Sequence, residues 1–337
     1  TCAFPGCTRP IDSDSGKFCV GHWPGNRVKA AQVWEEARKH VRKGEVDFKG
    51  WHFPHDPAGL CFRGMSFPPG RASYMNGATF HEDVDFRWAQ FADGAHFEPL
   101  DGRRTEFFGR ARFSRATFKF AAFFHEAVFH READFSHVVF HTAADFSGAE
   151  FRARARFEWA EVRRHADFRK SQFNDTDFEN AILRGDGRFH GATFKGEVDF
   201  SGVMFEVGRD IHFDRPTSHP EPFADPAQGE APYRLASRAA KARGEVLKAD
   251  EYHLWAITAH AKRKTSICRR AQALFLALLI WCSRRPARLL LVALVIIMAF
   301  ALGYCAGDCI APSGIAQAER EGYKPSFAEC WHFSSVT

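Results

Sequence analysis

Tyrosine and methionine are scarce in this 337-residue chain, at 5 and 4 residues, whereas phenylalanine numbers 36. Aromatic burial therefore falls mostly to one side chain, which implies a single structural slot filled again and again. No nucleophile elbow, phosphate-binding glycine loop or catalytic metal pattern is present, so no enzyme is expected. Strong negative charge is missing as well. Between Phe80 and Phe205 there are 18 Lys/Arg against 21 Asp/Glu, a net of −3. The chain is 45% hydrophobic and 26% charged, ordinary for a folded protein, which excludes a wholly disordered or collagen-like chain. The overall +5 hides an asymmetry: Arg234–Arg288 holds 13 Lys/Arg against 3 Asp/Glu. A basic block of that kind beside apolar runs is a membrane-surface signal.

The middle of the chain is periodic. Phe80, Phe86, Phe91 and Phe97 begin a series that continues through Phe113, Phe118, Phe124 and Phe129 to Phe205, with Val162 and Leu183 in the same slot. Steps of five and six residues alternate, and a small residue such as Ala78, Ala89 or Ala144 precedes most of the rings by two positions. A helical stripe needs three- and four-residue spacing, and a half-buried strand needs period two. Neither fits. A chain turning a corner every five or so residues does fit, with one large and one small side chain pointing inward on each face. Four faces make one coil of a square solenoid. In these residues the sequence resembles the pentapeptide-repeat family. That resemblance implies a mainly β fold, a right-handed quadrilateral β-helix over roughly 46–213, with about six coils and an early unit at Val46-Asp47-Phe48-Lys49-Gly50. The six-residue steps require an extra corner residue on about every second face. Some family members mimic nucleic acid, but duplex DNA carries one charge per ~1.7 Å. A net of −3 falls far short of that, and no nucleic-acid partner is expected. The histidines His125, His130, His137, His141, His165 and His190 match no metal spacing and read as solvated face positions.

At the N-terminus, Cys2-x4-Cys7 and Cys19-x2-His22 supply four ligands within about twenty residues. Zinc takes four tetrahedral S/N ligands, and a stretch too short to bury a core gains its folding free energy from such a metal. Cys2, Cys7, Cys19 and His22 are therefore expected to hold one structural zinc, in a module over 1–27. A basic helix over 28–45 follows, read as solvated.

The pattern turns helical after a Pro-rich linker over 214–232. A cytoplasmic helical pair is expected over 233–265, turning at Gly244. The 13 uncharged residues from Ala271 are too short to span ~30 Å of hydrocarbon, so 269–285 reads as an interfacial amphipathic helix. The uncharged run Leu289–Gly307 is long enough, giving a transmembrane helix over 286–307. Cationic residues precede it, and the positive-inside rule places the preceding domains in the cytoplasm, at the cell inner membrane. An extracytoplasmic loop over 308–326 follows, where Cys309 and Cys330 are the preferred pair for one disulfide.

The last stretch, 327–337, includes Trp331 and resembles the start of a pore helix in two-transmembrane potassium channels at Phe333, Ser334, Val336 and Thr337. The whole arrangement resembles bacterial pentapeptide-repeat proteins with a fused potassium-channel domain. That resemblance implies K+ as permeant ion, a homo-tetramer, contact with membrane lipid, and a protein partner on the solenoid. The alternative is a membrane-anchored interaction scaffold without conduction. The chain starts without Met and stops inside an aromatic stretch, so it reads as part of a longer reading frame whose filter lies beyond Thr337.

Overall fold

A computed structural model describes residues 1–5, 7–206, 208–214 and 222–263, with side chains through 260. The segments expected as interfacial helix, membrane span, outer loop and pore helix, with Trp331, Phe333, Ser334, Val336, Thr337 and the Cys309–Cys330 pair, lie outside these residues. Among the described residues, no helix is long and apolar enough to cross a membrane.

Among the described residues, twenty-seven two-residue strands, from His52–Phe53 to Ile211–His212, wind into a four-sided β-solenoid. Face 1 runs from His52–Phe53 to Thr193–Phe194 and face 2 from Val84–Asp85 to Val198–Asp199. Face 3 runs from Ser66–Phe67 to Met204–Phe205 and face 4 from Ser73–Tyr74 to Ile211–His212. Three faces have seven strands and face 2 has six, so there are about seven turns rather than six. All neighbours pair in parallel, one coil apart, as in Thr117 with Val139 and Ala133 with Ala155. Each coil typically advances 22 residues, which is two five-residue and two six-residue steps.

The corners explain that alternation. On entering faces 3 and 1 the step is five residues, and the residue two after the core ring has positive φ: Trp88, Arg115, His137, Trp159 and Asn180 at one corner, Glu126, Gly148, Lys170 and Gly191 at the other. On entering faces 2 and 4 the step is usually six, and the additional residue completes the turn without left-handed backbone. The extra residues thus recur at fixed corners, and the register is preserved. One coil closes without its extra residue, between Phe173 and Phe178, and pairing continues through it.

The interior is filled by rings in columns. On face 1, Phe80, Phe107, Phe129 and Phe151 stack at 4.7–4.9 Å with planes within 5°, matching the ~4.8 Å strand spacing. Between faces the rings meet edge-on, as Phe113 and Phe124 do at 5.4 Å and 84°, an arrangement favourable for aromatic quadrupoles. Outside, face 2 alternates charge from coil to coil, Asp85, Arg112, Asp134, Arg156, Asp177 in register. A longer insertion between Phe97 and Phe107 is strapped down by Arg104, which donates to the carbonyls of Glu126 (2.6 Å) and Gly148 (3.4 Å) and pairs with Glu150 (2.5 Å).

Both ends of the ladder are covered. The helix α1 (Ala30–Lys43) is not the solvated element its basic composition suggests: Val33, Trp34, Ala37 and Val41 are buried. Trp34 lies 5.0 Å from Phe53 and 5.2 Å from Phe62, and its Nε1 donates to the Pro54 carbonyl at 2.8 Å. An unpaired first coil would otherwise expose these rings, and that burial outweighs the solvation of the basic face, which stays outward. At the other end, Phe223, inside the Pro-rich stretch, adds one more ring to face 1, 5.0 Å from Phe194. Helices α2 (Glu230–Ala242) and α3 (Val246–Arg263) turn at Gly244, whose φ of 76° lies in the left-handed region. Tyr233 closes edge-on over Phe223 at 5.6 Å, and Tyr252 Oη lies 3.2 Å from His212 Nδ1.

Candidate metal centre

The N-terminal segment has almost no apolar core of its own. It folds through backbone hydrogen bonds from Cys2 to Arg9 (3.0 Å), Ala3 to Lys17 (2.9 Å) and Asp12 to Phe18 (2.8 Å). Lys29, just before α1, ties the loop down through Asp12 (2.8 Å) and Asp14 (2.9 Å). Two glycines let the segment approach the first coil: a Cβ on Gly21 would stand 2.4 Å from the Trp51 ring, and one on Gly50 would stand 2.3 Å from Phe4.

This packing brings Cys2, Cys7, Cys19 and His22 together, with all four ligand atoms within 4.8 Å of one another. His22 Nδ1 lies 3.4 Å from Cys2 Sγ and 3.3 Å from Cys19 Sγ, and Cys7 Sγ lies 3.9 Å from Cys19 Sγ. A tetrahedron with ~2.3 Å arms has edges of ~3.8 Å, so these separations are of the right size. The histidine's tautomer follows from its other contact. Nε2 lies 2.7 Å from the Lys49 carbonyl, which only accepts, so Nε2 carries the proton and Nδ1 presents its lone pair to the sulfurs. A carbonyl behind a ligating imidazole is the usual orienting partner in metal sites. Phe4 stacks on the imidazole at 3.9 Å.

Burial pushes His22 down to about 4, so the imidazole is neutral near pH 7. Burial pushes the Cys19 thiol up to about 12. At Cys2 burial also raises the thiol, but N–H donors from Cys19 and Phe4 outweigh it and the net shift is downward. Three sulfurs and one neutral nitrogen converging on a point are the donor set of a structural zinc site. Sequence spacing identified the four clustered residues; it had no signal for the contacts on His22, where Phe4 stacks from within the segment and Lys49 and Trp51 approach from the solenoid side. The fourth cysteine of the described residues, Cys61, is buried elsewhere. A second convergence, Asp177, Glu179 and Asp199, is part of the face-2 charge ladder, and burial pushes the Asp177 carboxyl up.

A family model described as pentapeptide repeats (9 copies) matches residues 135–182 and 168–209. The chain carries pentapeptide repeats. The matched segments cover the later coils of the solenoid. The pentapeptide repeats end before the helical pair, so the match carries nothing about the pore-like residues near the C-terminus. No curated protein and no solved structure gives a significant match.

Proposed function

We propose that this chain is a rigid interaction scaffold built of pentapeptide repeats, with a zinc-stapled cap at its N-terminal end. The observation that carries this reading is the filled interior. Stacked phenylalanines occupy the solenoid from end to end, so its chemistry lies on the outside, where ladders of side chains repeat at fixed spacing for a protein partner. Cys2, Cys7, Cys19 and His22 hold the zinc, which supplies folding free energy to a segment without a core. Metal analysis of the purified protein is expected to give about one zinc per chain, and Cys19→Ser is expected to lose it; zinc-free wild-type protein that remains folded would sink this part.

The second reading places the scaffold on a channel subunit at the cell inner membrane, with the solenoid cytoplasmic. It rests on the uncharged run Leu289–Gly307 followed by Phe333-Ser334-Ser335-Val336-Thr337. In that reading four chains surround a path for K+, and a half-helix aims its carbonyl end at the ion. Potassium flux from vesicles reconstituted with the protein of the complete reading frame tests it. A membrane-bound protein without flux leaves the anchored scaffold, and a soluble protein removes both membrane readings.

A further inference from the structure

Between the Cys/His segment and the first coils lies a cleft of about 810 Å³, within the ~300–1,000 Å³ typical of small-ligand sites. Its walls carry three cations from different parts of the chain: Arg9 beside the cysteines, Lys49 on the first coil and Arg71 on the loop before face 4. Arg9 is already positioned. Its Nη2 donates to the Asp47 carbonyl at 2.8 Å, and its guanidinium lies 4.8 Å from the Trp51 ring centroid. Lys49 Nζ sits 4.1 Å from the Tyr74 ring centroid. Arg71 is exposed, and no ion pair or hydrogen bond holds its side chain among the described residues. Two acids share the cleft, and both are engaged. Glu45 binds His40, and Asp47, 61% exposed, accepts the Lys49 backbone N–H at 3.2 Å and pairs with Lys49 Nζ at 3.8 Å, a long, solvent-exposed contact that contributes little and leaves Lys49 able to turn to an incoming anion.

We propose that this cleft binds a small, multiply charged anion of phosphate chemistry. Guanidinium forks match phosphate oxygens bidentately, and two of the three cations are arginines. An ordered Arg9 loses little freedom on binding, which favours affinity. The cleft shares Cys7 and His22 with the Cys/His cluster and Tyr74 with the first strand of face 4, so this inference rests on the zinc-ordered segment of the reading above.

The full-length protein is titrated with fructose 1,6-bisphosphate, following tryptophan fluorescence because Trp51 lies beneath Arg9, with zinc content measured on the same samples. Saturable binding is expected, weakened about tenfold or more by Arg71→Ala and by Lys49→Gln, as loss of a charge-assisted hydrogen bond implies. Neither side chain is buried in the core, so both variants are expected to fold, and circular dichroism checks this. Absence of saturable binding, or equal binding by wild type and both variants, overturns the proposal. Succinate binding as tightly as the bisphosphate overturns the phosphate assignment. Unchanged zinc content alongside lost binding separates failure of the cleft from failure of the metal site.

Discussion

Individual side chains in this solenoid face two local costs, left-handed backbone and buried imidazole. Lys170 has φ 58° at a corner where Gly191, one coil later, has φ 72°. Left-handed backbone costs an L-residue ~1–2 kcal/mol, and glycine escapes that cost while losing ~0.5–1 kcal/mol in entropy. Lys170→Gly is therefore expected to stabilise the protein by up to about 1 kcal/mol, read as a rise in the urea midpoint; a clear fall would contradict the turn geometry. His52 presents the opposite case. Burial first, then the charges of His81, Arg103 and His22, bring it down to about 4, and burial also lowers His81, whose Nε2 is 3.3 Å from His52 Nδ1. A histidine lowered on folding binds fewer protons folded than unfolded between its two pKa values. Its stabilising contribution is complete above the unfolded value near 6.5 and is lost progressively as pH falls towards 4. Denaturation midpoints are expected to drop between pH 7 and pH 5, and His52→Asn to flatten that drop.

At the scale of an element, each coil depends on the rings above and below. Phe135 is fully buried, stacked 4.9 Å from Phe113 and 5.2 Å from Phe157. Removing a buried Phe side chain costs ~3–5 kcal/mol, so Phe135→Ala is expected to lower stability by about that amount, measured by chemical denaturation. Exposed Arg131→Ala, as a control, is expected to change little. The five-and-six alternation of rings was legible from residue order alone, because inward positions cannot be polar. What one chain could not reveal was where the additional residues collect. That depends on which corners adopt left-handed backbone, and non-glycine residues such as Trp88, His137 and Trp159 give no local signal for it.

Across the whole molecule, a ladder of parallel strands has two open ends, and both are covered here by helices. A solenoid without such caps exposes apolar rings and unpaired edges to other copies. Trp34→Ala is expected to uncover Phe53 and Phe62 and promote self-association, seen as a concentration-dependent increase in sedimentation coefficient. A variant that stays monomeric at the wild-type sedimentation value would remove the capping role assigned to α1.

Residue order alone determined the repeating coil and the four Cys and His residues that cluster. A ring every fifth or sixth position fits no helix or flat strand, and Cys and His at those spacings suit a metal. Tertiary packing decided the rest. The basic helix became a lid because its apolar side found an open coil end, and Lys49's carbonyl fixed the proton on His22. Arg9, Lys49 and Arg71, distant in the chain, line one cleft because the cysteine segment folds back onto the first coils.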